Sequence, residues 1–226
     1  TARMSRHLRR EKPLKAAAAL FRQGWDLCGK GDLEEAEGAY AKSARLAPGW
    51  ANAHYQLGYV RLRLRRYDEA ARSLEKADRI SPGYFMVREY IDHARRLLSG
   101  ELAWEAFRLF DVANAAGLTD PDRTIRLAAR ALEISPEFPS ARLILARAYE
   151  KKEELDRALG ELSRTIRMNP DKATLCHALF SRGSIFLAQG RADQAMREWE
   201  KVLEINGSAT ATRSALATMA SAGWVH

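Results

Sequence analysis

Short apolar stripes at helical spacing alternate along the chain with brief polar interruptions. Leu20, Gly24 and Leu27 share one helical face, and Ala36, Tyr40, Ser43 and Ala44 share another. Gly29, Lys30, Gly31 and Asp32 separate the two stripes, with Asp32 placed to cap the second helix and Pro48 placed to end it. The same pattern then returns. Pro48 and Pro82 are 34 residues apart, as are Pro136 and Pro170, Gly24 and Gly58, and Ala36 and Ala70. The run Leu132–Pro136 matches Ile166–Pro170, and Leu203–Gly207 takes the same place without proline. A fixed period of this length marks stacked supersecondary units. Each unit is predicted to be an antiparallel helical pair, with small residues such as Gly24 and Ala36 letting the two helices approach. One pair alone cannot bury its apolar face, so neighbouring pairs must stack.

The period falters in the middle. Tyr84–Leu98 begins in phase as a first helix, and Gly100 breaks it. Glu101–Ala116 reads as another helix, and Pro121–Ile134 as a second-type helix ending before Pro136. Three helices therefore stand where two are expected, and either Tyr84–Leu98 or Glu101–Ala116 is supernumerary. Pro82 and Pro136 lie 54 residues apart, which no multiple of 34 supplies, so a change of superhelical direction is expected between two sub-solenoids. The last repeat carries a three-residue insertion near Lys172–Leu175, and Ala209–Ala222 reads as a terminal capping helix. The expected organisation is a basic arm over 1–15, two repeats over 16–83, an irregular linking helix over 84–100, three repeats over 101–207, and a cap and tail over 208–226.

These units resemble the tetratricopeptide repeat family. The residues that carry the resemblance are Gly24, Leu27, Ala36, Tyr40 and Pro48, then Leu57, Gly58, Ala70, Leu74, Ala77 and Pro82. Leu145, Ala146, Tyr149, Ala158, Leu162 and Pro170 come next, then Gly183, Phe186, Ala195, Trp199 and Leu203. The resemblance implies an all-α fold, a right-handed superhelical solenoid of about five helical pairs. It also implies a non-enzymatic scaffold or adaptor that holds a partner's peptide or helix against the concave face of its first helices. Carried over by position, that groove is lined by Phe21, Trp25, Tyr55, Tyr59, Met86, Tyr90, Arg147 and Phe180, aromatic in its first half and more polar in its second. Co-chaperone members grip a carboxylate there with Lys, Asn and Arg. Here the matching positions read Phe21, Trp25, Gln56, Met86 and Tyr90, so that clamp is not expected.

Charge adds one further candidate. The 226 residues carry 37 Lys and Arg against 29 Asp and Glu, a net charge of +8. Arg3, Arg6, Arg9, Arg10, Lys12 and Lys15 crowd the first fifteen positions, opposed only by Glu11. Within the body the densest basic run holds Arg61, Arg63, Arg65 and Arg66. Its plain reading is a solvated helix end. The alternative is a basic patch that, with the arm, meets nucleic acid or an acidic partner, although few aromatics interleave it as single-strand binders require. A regulatory module cut from a larger enzyme is a third reading.

Catalytic and metal chemistry find little support. The five histidines are scattered, and the two cysteines exclude a disulfide framework and read as packing residues. Gly24–Gly31 nearly spells a phosphate-binding loop but has Gly31 where the magnesium-holding hydroxyl belongs. No enzyme activity, cofactor or metal is expected. No apolar run reaches the length of a membrane span, and a bacterial, cytoplasmic protein is expected. A homodimer through Leu216, Met219 and Trp224 has nothing specific behind it.

Overall fold

The computed structural model describes residues 2–82, 87–117, 119–206 and 209–221, the side chains of 2–13, 210–211 and 218–221 excepted. Every regular element among them is helical. The chain divides into two compact units, Thr1–Glu101 and Leu102–His226.

The first unit holds α1 (Ala2–Lys30), α2 (Leu33–Leu46), α3 (Ala51–Arg63), α4 (Tyr67–Ile80) and α5 (Val87–Ser99). Helices α1 and α2 pair, α3 and α4 pair, and α5 packs on α4. The backbone of the basic stretch up to Lys15 is part of α1. Asp32 does occupy the N-cap position of α2, but its side chain makes no capping bond. Glu34 and Glu35 supply the negative charge that the first turn favours.

The second unit holds α6 (Trp104–Ala116), α7 (Pro121–Ile134), α8 (Pro139–Lys151), α9 (Leu155–Arg167), α10 (Lys172–Ala188), α11 (Ala192–Ile205) and α12 (Thr210–Ser221). Here α6 pairs with α7, α8 with α9 and α10 with α11, while α12 packs on α11. Since α6 has α7 as its partner, α5 is the helix without a second member. The insertion near Lys172 lengthens α10 to 17 residues, where α8 has 13. Asp171 starts it, accepting hydrogen bonds from the amides of Ala173 and Thr174.

Within a pair, a large side chain of the second helix presses on a small residue of the first, sixteen positions earlier. A Cβ on Gly58 would lie 2.6 Å from Leu74 Cγ, and one on Gly183 would lie 2.5 Å from the Trp199 indole nitrogen. Leu74 and Trp199 are accordingly buried, and Trp199 donates its N–H to the Phe180 carbonyl at 3.1 Å. Ala36, Ala70, Ala158 and Ala195, at matching places on the second helices, are wholly buried. Gly24 plays the same part against Tyr40, so the near-match to a phosphate loop is helix and inter-helix turn.

Candidate functional site

The face-lining residues fall on first helices, and their surroundings separate them. Trp25 stands on α1 with 60% of its surface exposed. Phe21, one turn earlier on α1, is half-buried; it packs edge-on against Tyr40 (centroids 5.3 Å apart) and at a tilt of 35° against Trp50 (4.8 Å). Tyr55 and Tyr59 of α3 both meet Tyr90 of α5 edge to face, at 5.9 and 5.6 Å. This three-ring cluster is largely internal: Tyr55 is 8% and Tyr90 4% exposed, and only Tyr59 is half-open. Met86 lies outside the described residues.

In the second unit Arg147 is exposed on α8. Burial raises the pKa of half-buried Glu150, one turn on, and Arg147 draws it back down. Phe180 is half-buried on α10 and stacks on Trp199 at 5.8 Å. Among the described residues, the large aromatic left open to solvent is thus Trp25. The others in the described set mainly hold helices together.

The basic run does not present four free cations. Arg61 donates to Glu37 at 2.8 Å and to the Ser73 hydroxyl at 2.8 Å, and pairs with Glu69 at 3.3 Å. Arg66 also pairs with Glu37. Arg63 reaches the Cys28 sulfur at 3.4 Å. Arg65 occupies the turn between α3 and α4 with φ of 60°. Glu37 of α2 therefore joins α2 to α3 and to that turn, and the arginines act as a clamp between successive pairs.

Sequence reasoning passed over a second basic cluster. Arg182 and Phe186 of α10, with Gln194, Arg197, Glu198 and Lys201 of α11, line a cleft of about 330 Å³. Glu198 is buried and answers two cations, accepting from Arg182 at 2.6 Å and Lys201 at 3.1 Å. Arg197 is exposed and has no partner among the described residues. The overlooked signal is the spacing of Arg197 and Lys201, one turn apart on α11, across from an arginine placed just before the close-packing Gly183.

Two tetratricopeptide repeat models match the chain, over residues 21–85 and 115–182, together more than half of it. The chain belongs to the tetratricopeptide repeat family. The fold is that of protein–protein interaction modules, whose members are generally non-enzymatic. No curated protein matches the chain. Solved structures similar to it include TTC0263, a thermophilic tetratricopeptide repeat protein of Thermus thermophilus. That protein is 19% identical, with 90% of this chain and 98% of that one covered and a TM-score of 0.43. Another is YrrB, described as a tetratricopeptide repeat protein with an unusual peptide-binding site, at 19% identity, 94% and 97% coverage and a TM-score of 0.43. A third is the Cut9–Hcn1 heterotetramer of the APC/C, at 15% identity, 94% and 45% coverage and a TM-score of 0.48. No helix among the described residues is long and apolar enough to cross a membrane.

Proposed function

We propose that this tetratricopeptide repeat protein is a non-enzymatic adaptor whose first-helix face receives a segment of a partner protein, anchored on Trp25. The observation that carries this reading is the exposure of Trp25, where the other described aromatics at these first-helix positions are buried or half-buried. A large indole open to water forfeits the burial that stabilises its kind elsewhere, and it is the residue type most enriched among binding hot spots. The indole lies one turn from the Phe21, Tyr40 and Trp50 contact set, which gives it a rigid base. The nucleic-acid reading has less behind it, because Glu37 already holds Arg61 and Arg66.

The test is a pull-down from a lysate, comparing the protein with Trp25→Ala and Tyr55→Ala. Trp25→Ala is expected to keep its unfolding midpoint and lose the captured protein. Tyr55→Ala removes a buried ring and is expected to cost about 3 kcal/mol of stability. Undiminished capture by a folded Trp25→Ala protein would overturn the reading.

A further inference from the structure

We propose that the cleft between α10 and α11 is a second binding site, which takes the carboxylates of an acidic segment on a partner protein. Its walls carry three cations, Arg182, Arg197 and Lys201, against one carboxylate, Glu198. Glu198 is already committed to Arg182 and Lys201, so the cleft keeps an excess of two positive charges. The guanidinium of Arg182 is mostly buried and engaged at every nitrogen, Nε and Nη2 with Glu198 and Nη1 with the Ser163 hydroxyl at 3.3 Å, so it is a fixed positive charge behind Glu198, and the outer charges met by an incoming carboxylate are Arg197 and Lys201. Arg197 and Lys201 project from successive turns of α11 and lie open to solvent. Successive acidic side chains on a bound segment would pair with them in turn.

The rest of the lining suits a peptide. Phe186 gives an apolar floor for the stems of Glu or Asp side chains, and Arg191 covers its other side, 4.3 Å from the ring centroid. Gln194 contributes an amide at the rim. The corresponding place in the second repeat is closed. There the residue three positions past the close-packing glycine is Arg61 and not Phe186, and its guanidinium fills the space with bonds to Glu37, Glu69 and Ser73. With Phe186 in place of that arginine, the space stays open, and of the α11 charges that line it Glu198 and Lys201 pair with each other while Arg197 has no partner among the described residues. This site is distinct from the Trp25 face and does not rest on it.

The test uses isothermal titration of the full chain with a hexaglutamate peptide at low salt, with inorganic phosphate as a second titrant. The Arg197→Ala/Lys201→Ala variant is compared with Arg126→Ala/Arg130→Ala, which removes the same charge one turn apart from the exposed face of α7. All four side chains are exposed, and Arg182 still holds Glu198 once Lys201 is gone, so both variants should stay folded, with the α11 variant losing about 1 kcal/mol or less in a urea midpoint taken alongside. The expected result is peptide binding that falls about tenfold or more in the α11 variant and stays near the parent's in the α7 variant. Equal losses in the two variants would reduce the effect to net charge and overturn the site. No peptide binding, or phosphate bound as tightly as the peptide, would overturn it too.

Discussion

At the residue scale the same backbone requirement recurs in four repeats and is met by different side chains. The turn residue seven positions after the close-packing residue has φ of 92° at Gly31, 60° at Arg65, 62° at Glu153 and 74° at Gly190. This is left-handed backbone, which glycine adopts freely and other L-residues adopt at a cost of about 1 kcal/mol. Glu153 is exposed there, with its carboxylate in no hydrogen bond or ion pair. Glu153→Gly is therefore expected to raise stability by up to about 1 kcal/mol, and Gly190→Ala to lower it by a similar amount, both read from urea midpoints. A fall in stability for Glu153→Gly would show that the added freedom of the unfolded chain outweighs the relieved turn. The sequence displayed this turn plainly where it reads Gly29 to Asp32, and hid it at Arg65, which looked like one more surface cation in a basic run.

At the scale of elements the ion pairs do unequal work. Glu37 of α2 joins Arg61 of α3 and Arg66 of the following turn, and its side chain is only 10% exposed. Arg182 of α10 likewise reaches Glu198 of α11 and Ser163 of α9. Each arginine thus ties three successive helices. Glu37→Gln is expected to cost about 1–2 kcal/mol by leaving two cations facing a neutral amide. Asp68→Asn, which breaks an exposed pair with Arg72 within α4, should cost about 0.5 kcal/mol or less. Comparable urea midpoints for the two variants would remove the clamp. The helices themselves were legible because Pro48, Pro82, Pro136 and Pro170 punctuate them and small residues mark their contacts. The pairings across repeats were not: no periodicity connects Glu37 to Arg61, 24 positions on, or Tyr55 to Tyr90. For the same reason residues that share the first-helix face in the pattern divide into an exposed Trp25 and a buried tyrosine cluster. Arg197 and Lys201 drew no notice in the sequence because only the folded chain sets them opposite Arg182.

At the scale of the whole molecule, buried histidines link stability to pH. His93 of α5 is almost fully buried, and burial, aided by Arg96, lowers its pKa to about 3. His54 is shifted in the same direction, by burial first and Lys76 second. A histidine whose folded pKa lies below its unfolded value near 6.5 contributes fully above that value, and its contribution is lost progressively as pH falls from there to the folded value. Buried Glu89, 3.9 Å from the ring, pulls the other way, but burial prevails, and stability should therefore drop as pH falls from 7 to 5. Thermal midpoints across that interval are expected to slope less in His93→Leu, and an unchanged slope would assign the effect elsewhere. The longer α10 bears on the array in another way. Each residue added to an α-helix rotates the later positions by about 100°, so three or four together come close to a full revolution and one or two do not. The extra turn of α10 leaves Gly183 still facing Trp199 and Ala195 still buried. Insertions into such an array are thus screened by phase, as nucleotide insertions are screened by the triplet frame of a gene. A lineage of these proteins can lengthen its helices in near-whole turns, and a gain of one residue at the same place would turn every later side chain of that helix to the wrong neighbour.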